Sequence, residues 1–192
     1  MPAAPPDITA PSPWVRRFAG LVAPGGRVLD VAAGRGRHAR FFHGRGHPVT
    51  AVDRDTTPLA DLAQIPGAEV VRADLEDGRP WPFAGRSFAA VVVVNYLYRP
   101  LLPALIDAVR PDGVLLYATF MRGNEAFSRP RDPAHLLAPG ELLAAFGHAL
   151  RPVAFDQGRI ERGDIPGVVQ RLCAVGPRRP GPDPLPAPDG GS

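Results

Sequence analysis

Short apolar runs closed by Gly, Pro or Asp recur along the chain, and their spacing sets its architecture. In RVLDVAAGRGRHARFF, residues 27–42, Val28, Leu29 and Val31 read as a buried parallel strand. Gly34 and Gly36 then read as a tight turn, and residues 38–43 as the first turns of a helix. HPVTAVDRD is a second buried strand ending at Asp53, and AEVVRA a third that stops at Asp74 and Leu75. FAAVVVVN is the most β-branched stretch and predicts a central strand covered on both faces, ending at Asn95. GVLLYATF follows the turn sequence RPDG as a fifth strand. LRPVAFDQG and VVQRLCAVG read as a closing β-hairpin joined by IERGDIPG.

Helical patterns fill the intervals. Ser12 is placed to cap a helix with Pro13 in its first turn and Trp14, Val15, Phe18 and Leu21 on one face. Thr56, Thr57 and Pro58 read as a helix start with Leu59, Leu62 and Ile65 inward, and residues 101–109 and 141–148 as two further amphipathic helices. DGRPWPFAGRS holds too much Pro and Gly for a helix and reads as a loop, with Trp81 and Phe83 as packing residues. The alternation is that of an α/β domain.

Composition bounds this picture. A chain of 192 residues suits one domain, which buries about 70% of the surface of its unfolded form. The expected division is a flexible Pro-rich arm over residues 1–11, a single domain over 12–176 and a disordered Pro/Gly-rich tail over 177–192. No apolar run approaches the ~20 residues of a membrane span, and the amino terminus lacks the pattern of a secretory leader. The single Cys173 lies in an apolar strand; it reads as a buried structural thiol and fits a cytoplasmic location. The pI of about 9.7 raises nucleic acid as a partner. All 22 basic residues are arginines, however, they are spread along the chain, and the net charge is only +3, which turns the reading away from nucleic acid.

The strand, glycine turn and helix suggest a ligand site, because glycine lets backbone approach a ligand and helix-start amides lack partners. GRGRHA fits the GxGxxG/A turn of dinucleotide-binding folds. Asp30, at the end of the strand below the turn, argues against a pyrophosphate and for a ligand bearing an ammonium and a sulfonium. Asp53, 17 residues beyond Gly36, is placed to accept ribose hydroxyls in either case.

DVAAGRGRH resembles the first motif of class I S-adenosylmethionine-dependent methyltransferases, through Asp30, Gly34 and Gly36, with Ala32 where a glycine is customary. Further likenesses follow in order. WPFAGRSFAAVVVVN is similar to the family's stretch before the fourth strand, with Ala89 in place of an aspartate, and RPDGVLLYATF resembles a late family motif. The resemblance implies a Rossmann-like seven-stranded α/β sheet, mostly parallel with an antiparallel last strand and helices on both faces. It also implies S-adenosylmethionine as cofactor. Asp74 would accept the adenine amino group, the Leu75 amide would approach the ring, and Asn95 would stand beside the methionine part. With Asp30, Ala32, Gly34, Gly36 and Asp53, these form the expected cofactor set.

No obligatory catalytic side chain follows from methyl transfer, which relies on holding the acceptor in line and excluding water. Tyr98, His38 and His135 are the candidates if a proton must be removed, although His38 also reads as a local backbone cap. Residues 121–139 lack periodicity and read as a lid that selects the acceptor. Arg37, Tyr96, Arg99, Phe120, Arg122 and Phe127 are the candidate acceptor contacts, with Asn124, Glu125 and Arg131 further lid residues of that kind. No metal is assigned. The pattern PxxPxxLLxPGELLxxF is loosely similar to small tellurite-resistance and related small-molecule methyltransferases. A chalcogen oxyanion, a thiol, a small metabolite and a nucleic acid all remain open as acceptor, and the lack of an acceptor domain in the sequence tilts toward a small molecule. Two other readings stand beside this one: an NAD(P)-dependent oxidoreductase using the GRGRHA turn, and a non-catalytic S-adenosylmethionine-binding domain.

Overall fold

The computed structural model describes residues 9–160 and 167–187. Most of the arm expected at the amino terminus, most of the IERGDIPG connection and the last five residues of the tail lie outside the described residues.

Seven strands form one sheet: β1 (Val28–Val31), β2 (Val49–Asp53), β3 (Ala68–Arg72), β4 (Phe88–Val94), β5 (Val109–Phe120), β6 (Arg151–Ile160) and β7 (Gly167–Val175), in the order β3-β2-β1-β4-β5-β7-β6. The first five run parallel, while β7 lies antiparallel to both β5 and β6, so β6 and β7 form the expected closing hairpin. This is the Rossmann-like seven-stranded sheet that the motifs implied.

Two-residue periodicity divides the core. Val28, Ala90, Val92, Val114 and Leu116 face one side of the sheet, where helices α1 (Pro13–Phe18) and α2 (Arg37–His43) pack through Trp14, Phe18 and Phe42. Leu29, Val31, Val91, Val93, Leu115 and Tyr117 face the other, against α3 (Leu102–Ala108) and α4 (Glu141–Phe146). Burying β4 on both faces explains its unbroken apolar run.

Several local features differ from expectation. Ser12 offers no side-chain cap to α1; its backbone N–H donates instead to His38 Nε2 at 3.2 Å. The helix expected from Thr57 is a pair of 3₁₀ turns, Thr57–Leu59 and Leu62–Gln64. Leu59, ending the first turn, and Leu62, opening the second, are both fully buried. Helix α4 stops at Phe146, short of His148. Strand β5 begins before the RPDG turn: Val109 pairs with Phe88 and pairing resumes at Ala90 with Val114, which leaves residues 110–113 as a bulge. A Cβ at Gly113 would come within 2.8 Å of the Phe88 carbonyl, so only glycine closes the bulge.

The described part of the tail, residues 177–187, was expected to be disordered but is strapped to the body. Arg178 N–H donates to the Pro111 carbonyl at 2.8 Å, and Asp183, with a side chain 3% exposed, pairs with Arg151 at 2.7 Å and Arg179 at 2.5 Å. Arg17 reaches the Pro186 carbonyl at 2.7 Å. Composition registers Pro and Gly; the partners that arginines find are a tertiary matter.

Candidate active site

Parallel strands leave their carboxyl ends along one edge of the sheet, and the loops that follow form the walls of a cleft there. The cleft encloses about 510 Å³. Ala32 follows β1, Asp53 closes β2 with Arg54 beside it, and Ala73, Asp74, Leu75 and Glu76 follow β3. Asn95, Tyr96 and Leu97 follow β4, Thr119 and Phe120 end β5, and Pro130 and His135 reach in from the segment over 121–140.

Asp53 is the pivot of the floor. Its Oδ2 accepts the Gly34 N–H at 2.8 Å and its Oδ1 the Asp55 N–H at 3.0 Å, so one carboxylate fixes the glycine turn against the end of β2. Two non-glycine residues take left-handed backbone at this edge, Ala32 with φ 52° and Asn95 with φ 58°. Such conformations cost ~1 to 2 kcal/mol for an L-residue and persist where surrounding structure imposes them. At Asn95 the constraint is visible: its N–H donates to the Ala118 carbonyl at 2.9 Å, and Tyr117 Oη donates to the next carbonyl, of Tyr96, at 3.0 Å. Tyr117 is wholly buried, which pushes its pKa well above that of a free phenol and keeps the hydroxyl a donor.

The segment over 121–140 closes on itself. Met121 bridges Leu137, Leu137 N–H donates to the Phe120 carbonyl at 3.1 Å, and Arg122 N–H to the Leu137 carbonyl at 2.9 Å. Asn124, fully buried, accepts the Val168 N–H at 3.1 Å and donates to the Ser128 and Pro130 carbonyls. Arg99 holds the far end: it pairs with Glu141 at 2.6 Å and donates to the Ala134 and Leu136 carbonyls at 2.7 and 2.9 Å. Burial opposes the charge on Glu141, but Arg99 and the Ala138 N–H outweigh it and hold the carboxyl below the usual range.

Of the expected cofactor residues, Ala32, Asp53, Asp74, Leu75 and Asn95 are brought together at the cleft, as are Tyr96, Phe120 and His135 from the other candidates. Asp30 departs from the expectation that it faces the crevice. Along β1 it points with Val28 toward α2, is 1% exposed, and its Oδ2 accepts the Ala39 N–H at 2.9 Å. It therefore takes up one of the helix-start amides that the sequence left open for a ligand. His38 is buried beside it, with Nδ1 3.7 Å from Asp30 Oδ1, and serves the backbone at Ser12, not the cleft. Gly36 holds φ 72°, and a Cβ there would also meet Leu59 Cδ2 at 2.6 Å, whereas a Cβ at Gly34, at φ 55°, would face open space.

The remaining candidates stand away from the cleft. Arg99 is spent on the lid clamp, and Arg37 donates to the Ala10 carbonyl at 3.2 Å. Arg122 is exposed outside the cleft wall, Phe127 lies under Arg159 at 4.5 Å, and Tyr98 packs on the α3 side of the core. Asn124 is a brace, not an acceptor contact, and Glu125 binds its own loop through the Gly123 N–H at 2.7 Å. Sequence reasoning passed over Arg54, Glu76, Leu97, Thr119 and Pro130 as cleft residues. Strand-end position was a usable signal for Thr119 and Arg54; Pro130 arrives through the lid and had none.

Residues 28–113 match a family described as a methyltransferase domain. That stretch, under half of the chain, is what is similar to methyltransferases. Solved structures share the fold. TehB from Haemophilus influenzae superposes with a TM-score of 0.65 at 16% identity, over 84% of this chain and 61% of TehB, so this chain spans less than two thirds of that protein. The 1,6-didemethyltoxoflavin-N1-methyltransferase of Burkholderia thailandensis gives 0.62 at 20% identity, over 88% of this chain and 78% of that one. The glycopeptide N-methyltransferase MtfA gives 0.59 at 22% identity, over 88% and 90%. No curated protein matches the chain. Among the described residues no helix is long and apolar enough to cross a membrane, and no cluster of His, Cys, Asp and Glu could hold a metal ion.

Proposed function

We propose that this chain is a methyltransferase that binds S-adenosylmethionine in the cleft and transfers its methyl group to a small-molecule acceptor held between the end of β5 and the 121–140 lid. The observation that carries this reading is the convergence of Ala32, Asp53, Asp74, Leu75 and Asn95, chosen by motif, on one cleft. The donor set fits the cofactor. Asp53 and Asp74 offer acceptors for ribose hydroxyls and an adenine amino group, and with Glu76 they make a field that favours a sulfonium and opposes a pyrophosphate. That field weighs against the dinucleotide alternative. The cofactor supplies an electrophilic methyl group. The protein binds the two reactants, aligns them and keeps water out, with Phe120 and Pro130 as apolar walls.

His135 is the lid group placed to take a proton from an acceptor that carries one. The relatives MtfA and the toxoflavin enzyme are N-methyltransferases, which supports nitrogen as the acceptor atom. The lone, buried Cys173 supports a reducing compartment, the cytoplasm.

Thermal unfolding in parallel with S-adenosylmethionine, S-adenosylhomocysteine, NADH or no ligand tests the reading. A hundredfold excess over Kd adds about 2.7 kcal/mol, a rise of roughly 5 to 11 °C at this size. Stabilisation by NADH alone would return the GRGRHA turn to a dinucleotide. Release of S-adenosylhomocysteine with a methylated product then separates an enzyme from a binding domain.

A further inference from the structure

The histidines that meet backbone groups differ in what they meet. His43 Nε2 stands 3.1 Å from the Pro66 carbonyl and His47 Nδ1 3.0 Å from the Gly26 carbonyl, so both rings donate, and a further proton leaves those bonds in place. His38 faces a donor instead. The Ser12 N–H points at its Nε2 from 3.2 Å, so that nitrogen carries the lone pair and the ring proton sits on Nδ1. Nδ1 in turn stands 3.7 Å from Asp30 Oδ1, and both side chains are almost wholly buried.

A second ring proton would turn Nε2 from an acceptor into a donor opposite the Ser12 N–H, and the hydrogen bond would become a repulsion. On the other side of the ring Asp30 favours the imidazolium, and its Oδ2 is already anchored by the Ala39 N–H at 2.9 Å. The other charged groups on the elements packed there are engaged elsewhere: Arg37 on α2 with the Ala10 carbonyl, Arg40 on α2 with Asp61, Arg17 on α1 with the Pro186 carbonyl and Arg171 on β7 with Asp156, while Arg16 on α1 is exposed. The loss therefore falls on Ser12, where the chain enters α1. We propose that His38 is a proton-operated latch on that entry. Neutral, it ties Ser12 to the first turn of α2; protonated, it turns to Asp30 alone and releases the Ser12 end of α1 while the sheet stays folded.

Nuclear magnetic resonance on the full chain follows the His38 ring and amide exchange together. Between about pH 8 and about pH 5, where imidazoles charge, Ser12 protection corrected for intrinsic rate should fall about tenfold, the upper worth of one neutral hydrogen bond, with the midpoint of the His38 ring. Ala39 should stay protected throughout. His38→Gln offers an oxygen in place of Nε2 and takes up no proton in this range, so its Ser12 protection should not depend on pH. A His38 ring that charges with no loss at Ser12, a ring that stays neutral across the range, or joint loss at Ser12 and Ala39 would each overturn the latch. A His38→Gln variant that keeps the wild-type pH dependence would overturn it too, by assigning the proton to another group. Should that variant fail to fold, the wild-type midpoints decide by themselves.

Discussion

Two substitutions in the turn after β1 should move stability in opposite directions. Ala32 holds φ 52°, a left-handed conformation that costs an L-residue ~1 to 2 kcal/mol. Glycine adopts it freely but gives up about 0.5 to 1 kcal/mol more chain entropy on folding. Ala32→Gly should therefore stabilise by roughly 0.5 to 1 kcal/mol, or about 1 to 4 °C in Tm for a chain of this size. Four residues on, Gly36 holds φ 72°, and an added Cβ would stand 2.6 Å from Leu59 Cδ2. The Leu59 methyl can rotate aside, so the main cost of Gly36→Ala is backbone strain, with a repacking term in a fully buried side chain added to it. A loss of about 1 to 2 kcal/mol is expected. Urea titration of the pair beside wild type reads both. S-adenosylhomocysteine affinity of Ala32→Gly should stay within about fourfold, since one methyl contact is the most the cleft loses. Shifts of the same sign, or a destabilised Ala32→Gly, would refute the strain argument.

Asp53→Ala removes both a ligand acceptor and the partner of the Gly34 N–H, and should weaken S-adenosylhomocysteine binding by ~1 to 3 kcal/mol; calorimetry showing wild-type affinity would take Asp53 out of the site. Arg99→Ala leaves Glu141 unpaired and frees the Ala134 and Leu136 carbonyls; a loss of about 1 kcal/mol after solvent screening is expected, with faster amide exchange over 130–137, and unchanged exchange would mean that Arg99 does not hold the lid. The Arg86 guanidinium holds the Glu69 carboxyl down, from 4.5 to about 2, so the pair's contribution is fully present above pH 4.5 and is lost as pH falls toward 2. Glu69→Gln should flatten that part of the stability profile, by no more than ~1 kcal/mol because the pair is partly exposed, and a wild-type profile would deny the link. Burial pushes the Cys173 thiol up to about 12, so a thiol reagent at pH 8 should label native protein only at the rate of unfolding, and prompt labelling would contradict that burial.

The sheet was legible because its signals are local. Four β-branched residues in a row suit a strand between two covered faces, and a turn at φ 72° favours glycine. The ends of the parallel strands inherit the same legibility, so Asp53, Asp74 and Asn95 could be placed at one edge without coordinates. Which way a strand-end side chain points was also written in the period of two, since Asp30 alternates with Leu29 and Val31 and must face α2; motif likeness concealed it. The use to which each arginine is put was not written there. Arg99 and Arg37 look alike in sequence, and only the fold brings Glu141, 42 positions on, to one and the Ala10 carbonyl to the other. The lid depends on such pairings throughout: Asn124 accepts from Val168 and Met121 bridges Leu137, so His135 and Pro130 reach the cleft through contacts between distant positions. Backbone conformation and burial follow from neighbours along the chain, whereas a polar side chain's partner follows from which distant groups share its volume, and tertiary structure alone decides that.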